Sequence, residues 1–106
     1  ALATSPFLFG LEQLDVRGCA LEDEGASILA NSMDLANVTH LRLDENGIQD
    51  AGALALAESP YGFNLVSLHL QDNPITPRGA KALRESPYLR RLKDLRLPSS
   101  ALEDSR

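Results

Sequence analysis

The chain has 106 residues, of which 43% are hydrophobic and 24% charged, with one cysteine and a formal net charge of -5. That balance belongs to a folded domain and excludes an intrinsically disordered segment. The single Cys19 excludes an intrachain disulfide, and no apolar run is long enough for a membrane-spanning helix.

The charge is unevenly spread. Residues 1–77 hold eleven acids and two bases, a balance of -9, whereas residues 78–106 hold four acids and eight bases, a balance of +4. An acidic body argues against nucleic acid as a partner. The basic end reads as solvated surface. No signal-peptide pattern is present, which with the lone cysteine points to a cytoplasmic protein and no membrane partner.

The chain is built on one repeated unit. Residues 1–10 match the tails of later copies: LANSMDLA at 29–36, LAESPYGF at 56–63 and LRESPYLR at 83–90. They read as the end of a preceding repeat. Sliding the sequence by 27 residues then aligns Leu14, Leu41, Leu68 and Leu95, and likewise Val16, Leu43, Leu70 and Leu97. The same shift aligns Cys19, Asn46, Asn73 and Ser100, and the glycines Gly25, Gly52 and Gly79. A fixed period of this length marks a stacked repeat array. The repeats run approximately 11–37, 38–64, 65–91 and, in part, 92–106, within a single domain of 1–106.

Each repeat opens on a strand. Leu11, Leu14 and Val16 point one way, and Gln13, Asp15 and Arg17 the other. Val38-Leu41-Leu43, Leu65-Leu68-Leu70 and Leu92-Leu95-Leu97 repeat the inward set. A helix lies between successive strands, so the strands are parallel and the helices cover their leucine face. Leu41, Leu43, Leu68 and Leu70 are expected inside; Arg42, Asp44, His69 and Gln71 are expected in solvent.

A sharp turn follows each strand. Asn46 and Asn73 sit there, and stacked turns bury backbone groups that no ladder satisfies. A buried amide supplies donors and an acceptor at once, so these residues are expected to stitch repeat to repeat. Cys19, at the same place, is expected as a small buried group rather than a reactive thiol, since Glu22, Asp23 and Glu24 oppose a thiolate.

Helices come next. Thr76-Pro77 supplies a capping hydroxyl and a first-turn proline. Asp23 and Asp50 place carboxylates at positive helix ends. Gly25, Gly52 and Gly79 imply a close approach of helix to strand. Ser5-Pro6-Phe7, Ser59-Pro60-Tyr61 and Ser86-Pro87-Tyr88 close the helices. Leucine recurs at Leu8, Leu35 and Leu89, but Gly62 takes its place in one copy. The expectation is that loop 60–64 takes another path and turns Phe63 inward, leaving Phe63 less exposed than Phe9.

The segments LEQLDVRGCAL at 11–21, VTHLRLDENGI at 38–48, LVSLHLQDNPI at 65–75 and LKDLRLPSSAL at 92–102 resemble the leucine-rich repeat family, ribonuclease-inhibitor-like class. The short, uniform, Ala- and Arg-rich copies resemble bacterial arrays in particular. Ser100 departs from the Asn or Cys of the pattern, so the last turn is expected to be less tightly tied. The resemblance implies an α/β leucine-rich repeat solenoid, a horseshoe segment with a parallel β-sheet on the concave face and helices on the convex face. It also implies a non-enzymatic protein-protein interaction module. An alternative is a recognition or regulatory domain of a larger signalling, immune-sensor or GTPase-activating protein.

The implied partner-binding rows on the concave face are Gln13, His40, Ser67, Asp94; then Asp15, Arg42, His69, Arg96; then Arg17, Asp44, Gln71, Pro98. Curved repeat sheets present such extended platforms. The end repeats lack a polar cap, so end-to-end self-association is a further partner mode. Ser67, His69 and Asp94 supply the residue types of a hydrolase, but a flat open sheet offers no oxyanion hole. His40 and His69 lack the spacing of a metal site. With no P-loop, GxGxxG or CxxC, no cofactor is expected.

Overall fold

Alternation of leucine with polar residues builds each strand, and a three-residue rung is all that each repeat contributes. The computed structural model describes residues 13–102. The strands are β1 (Gln13–Asp15), β2 (His40–Arg42), β3 (Ser67–His69) and β4 (Asp94–Arg96). They form one parallel sheet in the order β1-β2-β3-β4, with Leu14, Leu41, Leu68 and Leu95 in register. Between them run α1 (Glu22–Ala30), α2 (Asp50–Ala57) and α3 (Pro77–Arg84). Short 3-10 segments, Met33–Asn37, Gly62–Asn64 and Ser99–Ala101, join the other parts.

The core lies between sheet and helices. Leu41, Leu43, Leu68 and Leu70 are fully buried, as are Ile48, Ile75, Ala26, Ala53 and Ala80. Leu95 on β4 and Leu97 just after it are only half-buried, because no described strand lies beyond them. The segments 1–12 and 103–106, including Leu11, Leu8 and Phe9, lie outside the described residues.

The turns after the strands are stitched through Asn46 and Asn73, both nearly fully buried. Asn46 Oδ1 accepts from the N–H groups of Cys19 and Leu21 at 2.9 and 3.2 Å. Its Nδ2 reaches the carbonyls of Val16, Leu43 and Asp44. Asn73 repeats this one unit later, with Asn46 and Ile48 as donors and Leu43, Leu70 and Gln71 as acceptors. Ser100 manages one such bond, from its hydroxyl to the Ile75 carbonyl at 2.8 Å, so the last turn is indeed more loosely tied. At the residue preceding the stitch, Gly18, Glu45 and Asp72 are all left-handed, with φ of 66°, 59° and 60°.

Cys19 is exposed, contrary to the expectation of a buried group. Asn46 and Asn73 are each covered by the turn 27 residues earlier, and among the described residues no such turn lies over Cys19.

The helix starts hold a relation not foreseen. Asp23 stands in the first turn of α1, yet its Oδ1 accepts from the N–H groups of Gln49 and Gly52, at the start of α2, at 2.7 and 2.9 Å. Asp50 likewise accepts from the Thr76 N–H and hydroxyl at 2.8 and 2.5 Å. Thr76 in turn caps α3 by accepting from Arg78 N–H. Each of these carboxylates therefore caps the following helix as well as favouring its own dipole. This explains Gly52 and Gly79. A Cβ on either would come within 2.6 Å of Asp23 Oδ1 or Asp50 Oδ1, and close to Ile48 or Ile75. The close approach is to the preceding helix and the adjoining turn, not to a strand.

The Gly62 expectation fails. Phe63 is 42% exposed and does not fill the space under its loop. Leu89 of the next repeat does: its Cδ2 lies 2.7 Å from where a Gly62 Cβ would stand. A side chain at position 62 would have to displace the Leu89 methyl that already occupies the site.

Candidate functional site

The polar face of the sheet is ordered by the strand register. Gln13 pairs with His40, His40 with Ser67, and Ser67 with Asp94; Asp15, Arg42, His69 and Arg96 form the adjoining row. The ladder continues past the strands, where Gly18 N–H donates to the Asp44 carbonyl and Glu45 N–H to that of Gln71. That extension carries Arg17, Asp44 and Gln71 as a third row. Eleven of the twelve residues in the expected rows thus share one surface, and the twelfth, Pro98, is buried.

Their exposure is not uniform, and here the structure corrects the sequence expectation. Gln71 is exposed, Arg42 and His69 are half-buried, and Asp44 and Ser67 are buried. The cause is position in the sheet. The side chains of Asp15 and Asp94, on the edge strands, are 46% and 44% exposed, but that of Asp44, flanked on both sides, only 12%.

Opposite charges two residues apart on a strand face the same way, and the face uses this repeatedly. Arg17 Nε bonds Asp15 Oδ1 at 2.8 Å, and Arg96 Nε bonds Asp94 Oδ1 at 3.1 Å. The Arg17 bonds hold the Asp15 carboxyl below the usual carboxylate range. His69, and after it Arg96, does the same for Asp94. The central pair is looser: Arg42 Nη2 and Asp44 Oδ2 stand 4.0 Å apart.

Three polar atoms at this centre, Arg42 Nε, Asp44 Oδ1 and His69 Nδ1, are buried with no hydrogen-bond partner among the described residues. Such groups are costly, roughly 1–3 kcal/mol each. Beside them Gln13, Asp15, His40, Arg42, Ser67 and His69 border a hollow of about 290 Å³. His40 Nδ1 is bonded to Thr39 Oγ1 at 2.9 Å. Both histidines border the hollow.

Ser67, His69 and Asp94 do come together, but in an order unsuited to nucleophilic catalysis. Ser67 Oγ lies 3.0 Å from His69 Nε2, and Asp94 Oδ2 lies 3.2 Å from that same nitrogen. A catalytic relay needs the carboxylate on one ring nitrogen and the hydroxyl on the other. Here both partners share Nε2 and Nδ1 has no partner among the described residues, so His69 links β3 to β4.

A chain of parallel rungs, backed by helices and stitched by buried asparagines, is a stacked-repeat protein of the α/β class. The family model described as leucine-rich repeat matches residues 11–30, 35–57 and 63–83, more than half of the chain. The chain belongs to the leucine-rich repeat family. A comparison with curated proteins finds no match.

The bonds that Ser59 and Ser86 make to the preceding repeat were missed in the sequence, which marked them only as closing their helices. Ser59 donates to the Ala30 carbonyl at 2.6 Å and accepts from Tyr61 N–H; Ser86 does the same with Ala57 and Tyr88. The signal was present: Ser59 and Ser86, like Asp23 and Asp50, are 27 residues apart. Among the described residues, no helix is long and apolar enough to cross a membrane.

Proposed function

We propose that the polar face of the sheet docks a protein partner. Leucine-rich repeat domains are generally protein-interaction modules and typically not enzymes. The supporting observation is the centre of the face, where Arg42, Asp44 and His69 carry polar atoms without partners. The Arg42 side chain is 41% exposed and free to turn towards an arriving carboxylate or carbonyl. Mixed charges around it give register and specificity rather than bulk affinity. The contact set is Gln13, Asp15, Arg17, His40, Arg42, Asp44, Ser67, His69, Gln71, Asp94 and Arg96.

The finer assignment follows the repeat. A uniform 27-residue period with a helix in each of three repeats favours the ribonuclease-inhibitor-like class and a horseshoe solenoid with this face concave. We read residues 1–106 as one domain, acting in the cytoplasm without a cofactor.

Photo-crosslinking tests the proposal. A crosslinker at Gln71, exposed on this face, should trap a cellular protein; one at Ile28, 60% exposed on α1, should not. Trapping from Ile28 alone would move the interface to the helices and defeat it.

A further inference from the structure

The aromatic side chains that the polar face lacks stand on one edge of the molecule. Phe63 and Tyr88 are 42% and 46% exposed. They belong to successive helix-to-strand loops. Together Pro60, Phe63, Asn64, Tyr88, Arg90 and Arg91 line a notch of about 390 Å³. A 27-residue shift places Arg90 on Phe63 and Arg91 on Asn64. One repeat therefore supplies a ring and an amide where the next supplies two guanidinium groups. Neither repeat makes the notch alone.

The notch is held from beneath. Ser59 and Ser86 tie their loops to the carbonyls of Ala30 and Ala57, and Asn64 Nδ2 donates to the Ala36 carbonyl at 2.7 Å. A surface fixed in advance loses less entropy on binding. Its charges are uncommitted. Among the described residues, neither Arg90 nor Arg91 has an ion pair or side-chain hydrogen bond, and no carboxylate lines the notch. Arginine and large aromatic side chains are the types that dominate binding energy at interfaces.

We propose that this notch docks an acidic peptide segment of a partner protein, with an aromatic or large aliphatic residue between its carboxylates. The guanidinium forks of Arg90 and Arg91 match carboxylates in two-pronged geometry. Phe63, Tyr88 and Pro60 offer the apolar side chain a floor and walls. Arginine beside aromatic rings also suits single-stranded nucleic acid. However, the -9 balance of residues 1–77 repels an extended polyanion, while a short acidic segment reaches the basic edge alone. The inference is independent of the polar face.

The test is fluorescence anisotropy on the whole chain, with a short labelled peptide of glutamates around one tryptophan. Saturable binding is expected, weakened about tenfold or more by Phe63→Ala, Arg90→Glu or Arg91→Glu. Lys81→Glu, an equal charge change on α3, should leave it intact. These positions are exposed, and thermal melts confirm that each variant folds. On the unaltered chain, amide resonances of residues 61–64 and 88–91 should shift on titration. Undiminished binding by all three notch variants overturns the proposal. So does the absence of peptide binding, an equal loss in Lys81→Glu, or tighter binding of an oligothymidine.

Discussion

The side-chain carbonyl of Asn73 accepts the backbone N–H of Asn46 at 2.9 Å, and Asn46 does the same for Cys19, one repeat earlier. The stitch is thus itself part of the next stitch. Asn73→Ala removes one amide and leaves the N–H groups of Asn46 and Ile48 and the Leu70 carbonyl in need of partners, while the Leu43 and Gln71 carbonyls keep Asn46 Nδ2 and Glu45 N–H. We expect a loss of about 1–3 kcal/mol, read by urea denaturation. An unchanged midpoint would show that the amide ladder is dispensable.

Gly79→Ala sets helix propensity against space. In a free helix alanine gains up to about 1 kcal/mol over glycine. Here the new methyl meets Asp50 Oδ1, Ile75 Cγ2 and Ala53 Cβ, at 2.6, 2.9 and 3.2 Å. The clash wins, and we expect destabilisation by roughly 1–2 kcal/mol. A higher melting temperature would refute the proposed packing.

Glu45→Gly should act in the opposite sense. Glu45 holds a φ of 59°, where its structural equivalent Gly18 holds 66°. The left-handed conformation costs a side-chain-bearing residue about 1–2 kcal/mol, partly offset by the entropy glycine loses on folding. A net gain of roughly 0.5–1 kcal/mol is expected from the same denaturation curves. A loss would mean that the Glu45 side chain contributes more than its strain.

Acid should uncap α3. Burial pushes the Asp50 carboxyl up, but the Thr76 hydroxyl and N–H, with Gly79 N–H, outweigh it and hold the group below its usual value. The folded state therefore releases this proton more readily than the unfolded chain. Its stabilisation is fully present above the ordinary carboxylate pKa and is lost as pH falls through the lowered one. In Asp50→Ala the cap is absent at every pH, at about 1 kcal/mol. Melting temperatures of the two proteins should differ near neutrality and converge in acid. A constant gap down to low pH would show that the carboxylate charge is not what caps the helix.

What could be seen in the sequence is what every repeat does alike. Leu41 and Leu68, and Asn46 and Asn73, solve one packing problem in successive copies, so alignment alone exposes them. What stayed hidden depends on rank within the array. Asp44 is buried because β2 has a neighbour on each side, and Cys19 is exposed because no described turn lies over it. Gly62 was misread because the residue that fills its space, Leu89, lies 27 positions away rather than next door. The shared contact of Ser67 and Asp94 with one ring nitrogen is a matter of rotamer, on which residue type is silent.

The two kinds of inter-repeat bond run in opposite directions along the chain. Asp23 and Asp50 reach forward to the next helix, while Asn46 and Asn73 reach back to the previous turn. The two junctions that carry both bonds are therefore the same lock, whereas the last, with Pro77 and Ser100 in these places, is not. Genetic insertion or loss of a whole 27-residue unit can rejoin such a junction with no new contact invented. A change out of phase breaks both bonds at once. Such a chain can vary in length by steps while its surface residues diverge freely, which suits a recognition scaffold that must meet partners of many sizes.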